Sequence, residues 1–127
     1  MTTPSVGSVG WLDLTVPDAE KLRDFYAAAV GWKIEAVPMG EYADYCLNDV
    51  GTNEARAGVC HTRGVNAKMP PVWIPYFVVA NLDASLKECQ TRGGVLIDGP
   101  RNMGTASRFA LIRDPAGAYC AFWQSAR

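Results

Sequence analysis

A chain of 127 residues has the size of one domain, and 49% hydrophobic with 20% charged residues mark an ordinary soluble globular protein. The net charge of −1, with signs mixed, gives no electrostatic case for nucleic acid or an anionic membrane, and no apolar run approaches the roughly 20 residues that span a bilayer. Cys46, Cys60, Cys89 and Cys120 lack CxxC spacing and read as free thiols of a reducing cytoplasm, not as disulfides or a zinc site.

Residues Met1 to Ser8 have neither a basic start nor an apolar core, so they read as a loose arm and not as a secretion signal. From Gly10 to Val16, Leu12, Leu14 and Val16 alternate with Trp11, Asp13 and Thr15, the period-2 mark of a strand with two different faces. Pro17 breaks that strand, and Asp18 is placed to cap a helix by accepting from the free N–H groups of its first turn. Leu22, Phe25, Tyr26, Ala29 and Val30 fall on one face of that helix, and Gly31 stands where a left-handed residue ends it. Strands follow at about Trp32 to Pro38, Tyr42 to Leu47 and Ala55 to His61, the last two joined across the turn that starts at Asn48. Thr62 to Val72, with Gly64, Asn66, Pro70 and Pro71, has little periodicity and reads as a linker. A second series then runs Val72 to Val79, Asn81 to Arg92, Val95 to Ile97, Phe109 to Arg113 and Ala118 to Gln124. Asp98 to Ser107 is expected to be a long loop, a lid or a connector.

The two series repeat one plan. A shift of 63 places Val16 on Val79, Asp18 on Asn81, Gly31 on Gly94 and Ile34 on Ile97. A shift of 66 places the turn Asn48-Asp49-Val50-Gly51 on Asp114-Pro115-Ala116-Gly117. The expected organisation is one domain, residues 1–127, with repeat one at about 9–61, a linker at 62–71 and repeat two at about 72–125.

Phe25-Tyr26 near the end of the first helix, the following Gly31-Trp32 and the turn Asp114-Pro115-Ala116-Gly117 carry a resemblance. In that order, within paired βαβββ units, they resemble the vicinal oxygen chelate superfamily of glyoxalases, extradiol dioxygenases, fosfomycin-modifying enzymes and bleomycin-binding resistance proteins. Trp11-Leu12-Asp13-Leu14 and Pro71-Val72-Trp73 are most similar to its glyoxalase-related group, whose members mostly have no assigned reaction. The resemblance implies an α+β fold: paired βαβββ repeats forming a curved, mixed eight-stranded sheet around a ligand cleft, with helices outside. It also implies a homodimer.

Pleating sorts the residues within that fold. Leu12, Leu14 and Val16 match the helix stripe, which leaves Trp11, Asp13 and Thr15 for the cleft. By the same rule Pro75, Phe77 and Val79 face the second helix, and Ile74, Tyr76 and Val78 the cleft. On the last strand Cys120 and Phe122 go with the helix, and Tyr119, Ala121 and Trp123 with the cleft. Trp11, Tyr76, Tyr119 and Trp123 read either as core or as the walls of a pocket for a flat organic ligand. Asp13 reads as a solvated strand residue, a ligand anchor or a base. His61, the single histidine, is a strand-end residue or a second acid–base candidate, and Arg108 and Arg113 are solvated or pair with an anionic ligand group.

Metal-using members of the superfamily place ligands at positions that match Trp11, Ile74 and Ala121, with a fourth near Val59 to His61. An indole, a sec-butyl group and a methyl offer no lone pair suited to a divalent ion. The sequence therefore reads as a metal-free and cofactor-free protein that binds a planar or aromatic small molecule. The ligand-binding set is Trp11, Asp13, Tyr76, Tyr119, Trp123 and Arg108, and the catalytic candidates are Asp13 and His61. The competing reading is an enzyme of the same superfamily, of lyase, isomerase or dioxygenase type, with or without a divalent metal.

Overall fold

Each half of the chain runs strand, helix, strand, strand, strand. The computed structural model describes residues 4–103 and 107–125. The first half comprises β1 (Val9–Val16), α1 (Ala19–Val30), β2 (Lys33–Pro38), β3 (Ala43–Asn48) and β4 (Ala55–His61). The second comprises β5 (Trp73–Val78), α2 (Leu82–Thr91), β6 (Val95–Met103), β7 (Ser107–Arg113) and β8 (Tyr119–Gln124). The linker contains one short 3-10 turn, Gly64–Asn66, that the sequence pattern does not reveal. Chain contacts divide the molecule into two compact units, Leu12–Trp73 and Met1–Trp11 with Ile74–Arg127.

In the unit Leu12–Trp73 the strand order is β2-β3-β4-β1, antiparallel except for the parallel pair β1–β4. The sequence dictates the helix ends. Asp18 accepts from the Lys21 N–H at 3.1 Å, and Gly31 adopts φ +92°, a conformation that L side chains avoid. α1 covers one face of the strands through Leu22 and Tyr26, which pack on Leu14, Val16, Tyr45, Leu47, Ala57 and Val59. The residues of the F-Y, G-W and P-x-W pairs meet here. The Trp73 Nε1–H donates to the Tyr26 hydroxyl at 3.0 Å, and the Tyr26 ring centroid lies 5.3 Å from Trp73 and 6.2 Å from Trp32. Three of these signature aromatics, Tyr26, Trp32 and Trp73, thus pack together against the core of this unit. The buried stripe of α1 is narrower than its apolar pattern: Phe25 is 59% exposed and Val30 55%.

The other unit repeats the plan with strand order β5-β8-β7-β6 and the parallel pair β5–β8. Asn81 caps α2 by accepting from the Ala84 N–H at 3.0 Å. Leu82 and Leu86 pack on Ala110, Ile112 and Cys120, with Phe122, Val79 and Leu96 around them. Burying a leucine side chain stabilises by about 1.5–3 kcal/mol, so each helix is held to its sheet mainly by this packing. The expected loop Asp98 to Ser107 is corrected here. β6 continues to Met103, with Arg101, Asn102 and Met103 paired to Phe109, Arg108 and Ser107. Two register shifts absorb the loop-like residues. Arg101 grips Asp98 with two bonds of 2.8 and 3.1 Å across Gly99 and Pro100. Residues 104–106 of that stretch lie outside the described residues.

The turn before β8 forms as its sequence requires. The Asp114 carboxylate accepts from the Ala116 and Ala118 N–H groups at 2.8 and 3.0 Å, and Gly117 has φ +90°.

Candidate functional site

Alternation along β5, β7 and β8 puts Ala110, Ile112, Cys120 and Phe122 against α2 and turns their neighbours to the other face. That second face carries Ile74, Tyr76, Val78, Leu111 and Ala121, all buried. The Tyr76 ring centroid lies 5.7 Å from Phe109. Trp11, at the start of β1, joins this unit. Gly10, Trp11, Tyr76 and Trp123 wall a cavity of about 250 Å³. Three of the four expected aromatics are thus neighbours, while Tyr119 stands half-buried at the far end of β8 and does not line the cavity. A larger and shallower depression of about 520 Å³ runs along α2 past Ser85, Cys89, Arg92 and Phe122. It lies on the helix side, so the aromatic cavity is the better candidate. The Trp123 indole N–H is buried and finds no acceptor among the described residues.

Arg108 lies with Ala110 and Ile112 on the α2 side of β7. It holds Asp83, in the first turn of α2, through two bonds of 3.1 and 3.3 Å. The structure therefore separates it from the aromatic face. The Asp83 carboxyl is held below its usual range, first by the hydrogen bond from Arg108.

Asp13 belongs to the other unit, and its strand neighbours Leu14 and Val16 face α1 and its core. Asp13 therefore faces away from α1, half-buried. The Cys60 Sγ lies 3.7 Å from both Asp13 carboxylate oxygens. Burial, then the charges of Asp13 and Asp44, push the Cys60 thiol far above its ordinary range. Cys60 is thus a neutral S–H donor to carboxylates and a poor nucleophile. Thr15, almost fully buried on the same face and registered opposite Cys60, has no partner for its hydroxyl among the described residues.

His61 follows Val59 by two residues and so turns to the α1 side. Its Nε2 lies 3.2 Å from Glu20 in the first turn of α1, and its backbone N–H donates to Asp44 at 2.9 Å. The rings of Tyr42 and Tyr45 flank it at 5.4 and 6.3 Å. Hydrogen bonding from His61 lowers the Glu20 carboxyl pKa. Asp13 and His61, the two acid–base candidates, thus stand on opposite faces of the same strands and do not form a pair.

At the positions where metal-using relatives place ligands stand Trp11 in the cavity wall and the buried Ile74 and Ala121. None offers a metal-binding atom, and among the described residues no three His, Cys, Asp or Glu side chains are arranged to hold an ion. The donor set does not fit a divalent metal at that position.

The model of the Glyoxalase/Bleomycin resistance protein/Dioxygenase superfamily matches residues 8–122. The chain belongs to this superfamily. Among curated relatives, CFP32 of Mycobacterium tuberculosis, provisionally named a glyoxylase, is 31% identical over 126 residues, 95% of this chain and 47% of the relative. The anthracycline biosynthesis protein DnrV of Streptomyces peucetius is 30% identical over 135 residues, 98% of this chain and 49% of DnrV. The chain spans about half the length of the curated relatives it matches. Among solved structures, methylmalonyl-CoA epimerase of Streptomyces coelicolor in complex with 2-nitronate-propionyl-CoA superposes with a TM-score of 0.60 at 21% identity. That match covers 97% of this chain and 100% of the epimerase. At that identity the likeness speaks for the shared βαβββ fold alone.

The signal for the cavity that sequence reasoning passed over is Gly10. A glycine inside a strand, beside a tryptophan, marks a close approach of another group to the backbone.

Proposed function

We propose that this superfamily member is a metal-free binding protein for a planar, aromatic small molecule, held in the cavity of Trp11, Tyr76 and Trp123. The observation that carries the reading is the convergence of three large aromatic side chains on one cavity of about 250 Å³. Aromatic contacts of this kind contribute on the order of 0.5–1.5 kcal/mol each beyond area burial, which favours flat ligands over saturated ones of equal size. The relatives named for anthracycline biosynthesis and the epimerases solved with acyl-CoA analogues are compatible with a small organic ligand. We also propose a cytoplasmic homodimer with reduced thiols. Light scattering that gives one chain mass at micromolar concentration would count against the dimer.

The test is a titration of the whole chain with 2-naphthamide and with the saturated analogue decahydro-2-naphthamide, read by tryptophan fluorescence and calorimetry. The planar amide should bind at least about tenfold tighter, and Trp123→Ala should remove most of that preference. Equal affinity for the two amides would end the proposal.

The second reading, an enzyme that uses Asp13 as its acid or base, draws on the names of the relatives and on the placement of Asp13 beside Cys60. A turnover found on any substrate and abolished by Asp13→Asn, with folding intact, would favour it over simple binding.

A further inference from the structure

We propose that the aromatic cavity admits a planar group of at most two fused rings, and that Gly10 is the residue that sets its size. This rests on the reading of the cavity as a planar-ligand site, and adds which ring systems it takes and what decides it.

Volume gives the first half of the argument. An engineered apolar cavity of roughly 150 Å³ holds one benzene. At the same looseness of fit, the present 250 Å³ matches about two fused rings and falls short of three. It also lies below the roughly 300 Å³ at which pockets for drug-sized ligands begin.

Gly10 gives the second half. It stands second in β1, and strand interiors disfavour glycine against alanine. A Cβ on Gly10 would lie 2.6 Å from Trp123 Cζ3, 2.7 Å from Trp123 Cε3 and 2.9 Å from Val78 Cγ2. Non-bonded carbon atoms do not approach so closely, since their favourable distance is about 3.5–4.0 Å. The benzo edge of Trp123 therefore lies against the backbone of β1 only because residue 10 has no side chain. Gly10 and Trp123 are also two of the four cavity walls. A methyl group at residue 10 would push Trp123, and with it one wall of the cavity, out of its place. Gly10 is thus a positioning residue that acts through Trp123.

The experiment titrates benzamide, 2-naphthamide and anthracene-2-carboxamide against the whole chain. The amides are chosen because the Trp123 N–H finds no acceptor among the described residues. Affinity should rise about tenfold from one ring to two and should not rise from two to three. Gly10→Ala should weaken 2-naphthamide binding at least tenfold and shift the tryptophan emission. The double variant Gly10→Ala with Trp123→Phe, which relieves the crowding, should bind within threefold of Trp123→Phe alone. Trp123→Phe by itself enlarges the cavity and should raise the three-ring amide relative to the two-ring one; this decides the matter if Gly10→Ala does not fold. A further tenfold gain for three rings in the parent chain, wild-type affinity in a folded Gly10→Ala, or no relative gain in Trp123→Phe would each overturn the inference while leaving the planar-ligand reading intact. If none of the amides binds the parent chain, both fall together.

Discussion

The two halves share one topology and differ in what they place on the strand face away from the helix. In the first half that face carries Asp13, Thr15, Asp44, Cys46 and Cys60: carboxylates, thiols and a hydroxyl without a partner among the described residues. In the second it carries Ile74, Tyr76, Val78, Leu111, Ala121 and Trp123. The faces against the helices are alike, each a mainly aliphatic layer, with leucine, valine, alanine and Tyr45 in the first and leucine, isoleucine, alanine and Cys120 in the second. A duplicated scaffold can thus keep its packing layer twice and vary the opposite layer freely, because that layer does not hold the helix.

The likeness of the packing layers is open to the largest test. Leu47 and Leu82 are fully buried, one in each core. Leu47→Ala and Leu82→Ala should each lower unfolding stability by about 2–5 kcal/mol in urea titrations. A loss under about 1 kcal/mol for either would mean that its half does not close around that leucine.

The thiols of the two halves, Cys60 on the face away from α1 and Cys120 on the face against α2, are compared by pH. Cys120, in the second half, has its thiol pushed up to about 11 from an ordinary 9.0, first by burial and then by Asp114 and Cys89. Cys60, in the first half, is pushed further in the same direction by burial and two carboxylates. A thiol that resists ionisation in the folded chain contributes its full stability below about pH 9. Above that the unfolded chain releases the proton first, and stability falls as pH rises through about 11. Urea midpoints between pH 8 and 11 should show this decline. Cys120→Ala and Cys60→Ala should each flatten part of it. A midpoint independent of pH over that range would show both thiols to be freely solvated.

The smallest effect sharpens the chemistry of the polar face. Burial is the main cause of the Cys60 shift and Asp13 the next. Asp13→Asn should therefore only partly restore the thiolate, and an aromatic disulfide reagent at pH 8 should modify Cys60 about two- to fivefold faster. Slower modification would mean that Asp13 does not act on Cys60 through its charge.

The repeat, the helix caps and the alternation of β1, β5 and β8 were legible because each follows from local chemistry, although Leu12 and Phe77, expected against the helices, are 38% and 36% exposed. Asp18, Gly31 and Asn81 act within four residues of themselves, and alternation needs only the chain's own pleat. β6 was not legible, because Asp98, Gly99 and Pro100 have loop character and their pairing is supplied by β7, a partner chosen by the fold. The exposure of Phe25 and Val30 is likewise set by the strands beneath α1, which cover less of it than its stripe invites. His61 required the register of β4 to be known to the residue: one step along the strand separates the α1 side from the Asp13 side. Arg108 stands on the α2 side for the same reason, one position away from Phe109.

One feature of β1 bears on how such a molecule can be divided. The unit that holds the aromatic cavity is discontinuous in the chain, and the break falls between Trp11 and Leu12, inside a single strand. Two of the cavity's four walls, Gly10 and Trp11, are therefore supplied by the opposite terminus from Tyr76 and Trp123. Val78 is tied to that terminus by bonds of 2.8 Å from the Gly7 N–H and 2.9 Å to the Ser8 carbonyl. A fragment cut at the linker would inherit a complete sequence repeat and an unfinished pocket. The module that duplicates in sequence and the module that encloses a ligand are different objects, offset from one another by part of one strand.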